Sequence, residues 1–151
     1  MTNAVPVKLK RLPNGLDLPL PTRMTQHAAG FDLFAAVDSS VTLQPGQISL
    51  IPCGFALAIP TGYEAQIRPR SGLSSKHGIT LINAPGTIDA DYRGQVFVPL
   101  INHGRSVFVI ERGMRIAQML VLPVPAVELL EVDDLDATVR GEQGFGHTGS
   151  A

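Results

Sequence analysis

The run Gly86-Thr87-Ile88-Asp89-Ala90-Asp91-Tyr92-Arg93-Gly94 sets a carboxylate between two glycine turns, three residues before an aromatic ring and four before an arginine. This is the layout of a tight β-hairpin that offers backbone groups, a carboxylate and a flat ring to a small ligand. On a regular strand Asp89 and Asp91 point the same way, so one could orient a water as base while the other held a neighbour. Aspartates also favour turns for their own reasons, and for an isolated Asp-x-Asp that is the commoner explanation. A calcium loop would need further acidic ligands, which are missing here. Tyr92 would be a core residue in most proteins. Its glycine surroundings leave room for a ligand to lie on the ring.

Four other blocks carry polar groups suited to a phosphorylated ligand. Arg68-Pro69-Arg70-Ser71-Gly72-Leu73 brings arginine, a hydroxyl and a helix start within a few residues. Free N–H groups and the helix dipole favour an anion there, and Arg70 adds forked donors that match phosphate. A capped helix with a surface ion pair explains the same residues. Arg112-Gly113-Met114-Arg115-Ile116-Ala117-Gln118 supplies two cations and an amide ahead of an apolar strand. Arg115 could equally pair with a carboxylate, for which Asp32 in Ala29-Gly30-Phe31-Asp32-Leu33 is the candidate. Beyond Arg140 the chain reads Gly141-Glu142-Gln143-Gly144-Phe145-Gly146-His147-Thr148-Gly149-Ser150. Glycine-rich backbone can wrap phosphate oxygens, and Phe145 could stack on a base. The same composition predicts a mobile tail until something orders it. Asn83 precedes a turn, yet its amide could read a base edge. His27, His77 and His103 lack ligand spacing.

The elements that must position these groups are strands. Turn signals recur every ten to fifteen residues, at Asn14-Gly15, Pro45-Gly46, Pro60-Thr61-Gly62, Asn83-Ala84-Pro85-Gly86, Arg93-Gly94, Asn102-His103-Gly104 and Arg112-Gly113. Between them apolar residues alternate: Val41 and Leu43, Ile48 and Leu50, Phe55, Leu57 and Ile59, Tyr63, Ala65 and Ile67, Val96, Val98 and Leu100, Val107 and Val109. Period two and the lack of a long amphipathic pattern predict an all-β sandwich or barrel of short strands. One short helix is expected, with Ser71 capping a turn that stops at Gly78. Pro123 and Pro125 predict an irregular, edge-type strand from Met119 to Val132.

Composition bounds the function. The 151 residues suit one domain with one core. Apolar residues make up 44% and charged residues only 17%, against about 25% in typical proteins, so apolar surface should be left for an oligomer to cover. A net charge of −1 and no basic run give no reason to expect nucleic acid as a partner. No apolar stretch has the length or flanks of a secretory signal or a membrane span, which predicts a cytoplasmic protein. Cys53 is alone, so neither an internal disulfide nor a thiolate metal site is expected, and it reads as a buried small hydrophobe.

In this order the five blocks resemble the motifs of the homotrimeric dUTPases, the deoxyuridine triphosphate nucleotidohydrolases. The motifs are Ala29 to Leu33, Pro69 to Leu73, Gly86 to Tyr92, Arg112 to Gln118, and Arg140 to Gly149, and the likeness runs from about residue 20 to the end. The resemblance implies a jelly-roll-like β-barrel (β-clip) over residues 1–139 with a phosphate-closing arm over 140–151. It implies a homotrimer in which three subunits share three sites. The implied reaction is hydrolysis of dUTP to dUMP and pyrophosphate by water attack on the α-phosphorus, which limits uracil in DNA and supplies dUMP for thymidylate synthesis. Asp89 would hold the water. Mg²⁺ would ride on the three phosphates, with no direct side-chain ligand. Arg70, Ser71, Gly72 and Gln118 would hold the phosphates. The backbone from Asn83 through Gly86, Thr87 and Ile88 to Asp89 would read uracil, and Tyr92 would lie on the deoxyribose. Phe145 would stack on uracil, while Arg140, Gly146, His147 and Thr148 would close on the γ-phosphate. Asp32, Asp91 and Arg115 would support the site.

Two residues depart from the family pattern. Gln143 stands where glycine is usual, at a cost of about 1–2 kcal/mol in the closed form if that position needs a positive φ. Met114 stands where an acidic residue is common. The related dCTP deaminases share barrel and trimer but use a glutamate near the base, and no glutamate lies between Gly86 and Gly94. A nucleotide-sensing or protein-binding module would not need Asp89, Tyr92 and the tail together.

Overall fold

A computed structural model describes residues 4–144. Among them ten strands form three antiparallel sheets. They are β1 (Lys8–Arg11), β2 (Phe31–Phe34), β3 (Val41–Leu43), β4 (Ile48–Ala58), β5 (Tyr63–Pro69), β6 (Ile79–Leu81), β7 (Gly86–Ile88), β8 (Gln95–Asn102), β9 (Phe108–Ile110) and β10 (Arg115–Pro123). One sheet runs β1-β4-β8-β6, the second β2-β10-β5-β7, and β3 pairs with β9. The mostly β, antiparallel fold with one short helix agrees with the expectation from the turn spacing.

Alternation puts Leu33, Leu43, Ile51, Ala65, Val98, Leu100, Ile110 and Ile116 wholly inside, where the inner faces of the sheets meet. Burying such side chains contributes about 1.5–3 kcal/mol each and sets the register, because a one-residue slip would expose them all. Asn102 is the buried polar residue of this core. Its amide donates to Leu43 O and Ser106 O at 2.9 Å, and its carbonyl accepts the Gly104 N–H at 2.8 Å, so no polar group is left unpaired. Cys53 is buried as expected.

Ile48 and Leu50 on β4 share a face, as their alternation predicts, and that face points outward; Val107 and Val109 by β9 are outward as well. Their partners Ile51, Phe108 and Ile110 take the inner face. β10 lies between β2 and β5, so it is a central strand and not an edge; it ends at Pro123, after which Val124 N–H donates to Gly62 O at 2.8 Å. Helix α1 (Ser71–His77) is capped by Arg70 without a side-chain bond, which makes Ser71 its first helical residue. Gly78 ends it at φ 69°, with its N–H on Leu73 O and Ser74 O. Lastly, the run from Gly86 to Gly94 is not a two-stranded hairpin. β7 pairs with β5 while β8 pairs with β4 and β6, so residues 89–94 carry the chain from one sheet to the other.

Candidate active site

β2, β10 and β5 lie side by side, and the register sets Asp32 opposite Gln118 and Gln118 opposite Arg68. Leu33, Met119 and Ile67 occupy the inner face, so Asp32, Gln118 and Arg68 share the outer one. The Asp32 carboxylate lies 3.2 Å from the Arg115 guanidinium and 3.7 Å from that of Arg70, with its side chain only 13% exposed. Arg70 also donates to Arg115 O at 3.1 Å. Gln118 donates to Pro69 O at 3.1 Å, which holds its amide beside the start of α1. The outcome is a corner where one acid fixes two cations. The sequence pairing of Arg115 with Asp32 is thus observed, and Arg70 joins it.

Ser71 and Gly72 lie exposed at the first turn of α1 beside this corner. A concavity of about 390 Å³ opens on the outer face, lined by Ala29, Gly30, Asp32, Arg68, Gln118 and Leu120 among others. Gly30 packs against Gln118; a Cβ there would come within 2.8 Å of its Oε1. Arg112, expected from sequence to add a second cation, turns elsewhere. Its guanidinium pairs with Asp17 and donates to Val37 O at 3.0 Å and Asn14 O at 2.9 Å, tying the N-terminal segment to the turn before β10. That bond holds the Asp17 carboxyl below its usual range and raises Arg112.

The second group gathers along β7 and in the turns on either side of it. The Ala84–Pro85 peptide is cis, and the Asn83 amide curls over Gly86. Thr87 and Asp89 are exposed, while Ile88 points into the core. Asp89 does not stand on a regular strand. Its carbonyl accepts the Tyr92 N–H at 3.1 Å, so Asp89, Asp91 and Tyr92 share a turn. No ion pair engages the Asp89 carboxylate among the described residues. The Tyr92 hydroxyl donates to Gln95 O at 2.9 Å, and the ring lies over Gly94, where a Cβ would sit 2.6 Å from Cζ. Only glycine leaves that seat open, and the ring stays 45% exposed. Gln95 in turn accepts from Asn14 at 2.8 Å and from Gly54 N–H at 3.1 Å, which anchors the start of β8. Thr87, Ile88, Asp89, Tyr92 and Gln95 line a second concavity of about 180 Å³.

The turn at Asp89 and the corner at Arg70 do not meet within one chain, although Gly86 at the start of β7 lies level with Ile67, next to Arg68. Ile88 pairs with Ala65 and Gly86 with Ile67, so the chain at Asp89 runs away from Arg70 along β5. Six residues of strand separate those levels, on the order of 20 Å at about 3.3 Å per residue. Arg140 is exposed and donates to Gln143 O at 2.9 Å, within a turn whose positive φ, 54°, falls at Gly141. Phe145, Gly146, His147 and Thr148 lie outside the described residues.

Arg70, Arg115 and Gln118 are donors suited to a polyphosphate, the group that would carry a metal here. Asp32 is already engaged by two guanidiniums, and no group of three or more His, Cys, Asp or Glu is placed to hold an ion among the described residues. No helix among them is long and apolar enough to cross a membrane.

A family model described as dUTPase matches residues 17–149. The dUTPase of Staphylococcus bacteriophage 80alpha, in a structure with dUpNHpp, superposes with a TM-score of 0.84 at 29% identity over 99% of this chain and 100% of that one. An Asp-to-Glu mutant of the 80alpha dUTPase is 30% identical, with a TM-score of 0.82 over 97% and 99% of the two chains. An Asp-to-Asn mutant of the dUTPase from phage phi11 of S. aureus, whose structure reveals the coordination of a structural Mg(II) ion, is 25% identical, with a TM-score of 0.75 over 85% and 97%.

Proposed function

The chain belongs to the dUTPase family, and from that premise we propose how its residues divide the work. The protein is a dUTP diphosphatase: it hydrolyses dUTP to dUMP and pyrophosphate with Mg²⁺ as cofactor. Asp89 is the residue that holds the attacking water. It is exposed, unpaired with any cation among the described residues, and sits beside an open concavity. The carboxylate accepts a hydrogen bond from the water, takes its proton as oxygen bonds to the α-phosphorus, and the bond to the bridging oxygen breaks to release pyrophosphate. Arg70, Ser71, Gly72 and Gln118 bind the phosphates, with Asp32 and Arg115 keeping Arg70 in place. Mg²⁺, carried on the phosphates that Arg70, Ser71, Gly72 and Gln118 would hold, would supply positive charge to the phosphate oxygens. The backbone from Asn83 to Asp89 reads uracil, Asp91 supports the turn, and the Tyr92 ring packs on the deoxyribose. Residues 1–139 form the barrel domain. Residues 140–151 form the closing arm, in which Phe145 stacks on the base and Arg140, Gly146, His147 and Thr148 meet the γ-phosphate.

The functional unit is a homotrimer with sites shared between subunits. The observation that supports this best is the separation of Asp89 from Arg70 in one chain. A carboxylate on the order of 20 Å from the phosphate corner cannot act on a substrate held there, so a second copy must bring its own turn alongside. The outward apolar faces at Ile48, Leu50, Ile82 and Phe97 offer the surface for it. From Val124 to Gln143 the chain is exposed and forms no strand, with Leu129 92% and Leu135 87% exposed, as suits a segment that packs against a neighbour. The protein acts in the cytoplasm.

The test is pyrophosphate release from dUTP, dTTP, dCTP and UTP with Mg²⁺, in the wild type and in Asp89→Asn. The expected result is release from dUTP alone, reduced about 10³-fold in the mutant with dUTP binding kept. Unchanged turnover in the mutant would remove Asp89 from its role, and ammonia from dCTP would mark a deaminase.

A further inference from the structure

Arg68 falls outside the five motifs, yet it stands in the row that the site is built on. Asp32, Gln118 and Arg68 are neighbours across three strands on one outer face. At about 4.8 Å between strands, the guanidinium of Arg68 starts two strands from the acid that fixes Arg70 and Arg115. All three side chains line the same concavity.

The guanidinium is set in place without being neutralised. Its Nε and Nη2 both donate to Gln66 Oε1, at 3.3 and 2.8 Å, and the Gln66 amide donates to Glu64 Oε1 at 2.8 Å. Glu64 and Gln66 precede Arg68 at two-residue spacing along the outer face of β5, so the strand itself lays the three side chains end to end. An arginine has five N–H donors, and Gln66 takes two. A half-buried cation held by a neutral amide, with donors to spare and no carboxylate partner among the described residues, is arranged to receive an anion.

We propose that Arg68 is a further substrate-binding residue, one that contacts the phosphate chain of dUTP from the β5 side, with Gln66 as its positioning residue. The assignment rests on the reading of the Arg70–Gln118 corner as the phosphate side of the site. A fixed cation of this kind binds the polyphosphate equally before and during the reaction, so its signature is in KM and not in kcat.

The experiment compares wild type, Arg68→Gln, Arg68→Lys and Gln66→Ala for dUTP turnover, with inorganic pyrophosphate and deoxyuridine as competing probes. Arg68→Gln is expected to raise KM about 10-fold and leave kcat within about two-fold. It should weaken inhibition by pyrophosphate by a similar factor and leave inhibition by deoxyuridine unchanged, since deoxyuridine carries no phosphate. Arg68→Lys keeps the charge and loses the fork, so it should fall between the two. Gln66→Ala should raise KM by a smaller factor with no change in kcat. KM and pyrophosphate inhibition unchanged in Arg68→Gln, or in Arg68→Lys and Gln66→Ala should Arg68→Gln not fold, overturns the assignment. So does equal weakening of deoxyuridine and pyrophosphate. Absence of dUTP turnover in the wild type strikes the parent reading instead, so the two failures are distinguishable.

Discussion

In the corner between β2, β10 and α1, the chain's own bonds already occupy the long polar side chains. Asp32 meets two arginines, Arg70 reaches Arg115 O, and Gln118 reaches Pro69 O. In the turn after β7 the reverse holds. Asp89 is exposed and unpaired among the described residues, while the Tyr92 hydroxyl donates to Gln95 O and the Arg93 guanidinium to Ala90 O and Tyr92 O around it. The contrast teaches how the labour of one reaction is split. Groups that must bind a highly charged phosphate chain are fixed in advance, because ordering them during binding would cost affinity. The group proposed to act on water is kept free of cations, since a partner would compete for the lone pairs that the water needs.

The sharpest way to break this contrast is to remove what is proposed to join the two regions. Truncation after Val139 leaves every strand of the described residues and both regions intact, because β10 ends at Pro123. Turnover of dUTP should fall by at least about 10³-fold, as closure aligns and dehydrates the reacting groups. Analytical ultracentrifugation should find the same oligomer as for the full chain. Full activity in the truncated protein would mean that the corner and the turn suffice alone.

Asp32→Ala tests the fixed region by itself. Both guanidiniums lose their shared acid, and kcat/KM should drop about 10²-fold, since misplacing a binding group by an ångström costs about that much. Asp89→Asn acts on kcat, whereas this change should act mainly on KM. An effect of Asp32→Ala on kcat alone would show that the corner takes part in the chemical step itself. Asp32→Asn, which keeps a hydrogen-bond acceptor, should lie between.

How far the sequence carried the site follows the same division. Arg115 with Asp32 was legible because an acid between Phe31 and Leu33 on a strand has to find a cation. Arg70 as a third member was not, since nothing in the spacing says that β2 and the end of β5 flank β10. Arg112 misled for a related reason. It sits in a cationic block, but its partners Asp17, Asn14 and Val37 are far away in sequence. The run from Gly86 to Gly94 reads locally as a hairpin, yet Ile88 and Val96 enter the core from two different sheets, and only tertiary pairing decides that. Alternation located the strands but not their inner faces at Ile48, Leu50, Val107 and Val109, because an apolar residue alternates equally well toward a core or toward a partner. Arg68 opens one of the polar blocks in the sequence but has no role of its own there, because its setting is made by Gln118 and Asp32 across two strands.

The smallest expected effect is a control on the scaffold beneath both regions. Cys53 lies in β4, and burial pushes its thiol up from the usual 9.0 to about 12. The folded state therefore keeps the proton that the unfolded chain releases above pH 9. With more protons bound in the folded state, stability must fall as pH rises through that window, by about 1.4 kcal/mol per unit, while below pH 9 the contribution is complete. Cys53→Ala lacks this term. Its denaturant midpoint should lie below that of the wild type at pH 8, and the gap should narrow steadily by pH 10.5. kcat and KM at pH 8 should match the wild type, because neither the corner nor the turn contacts this side chain. A gap that stays constant with pH would place the thiol in contact with solvent. A change in KM would mean that the two regions are coupled through the core and not only through the substrate.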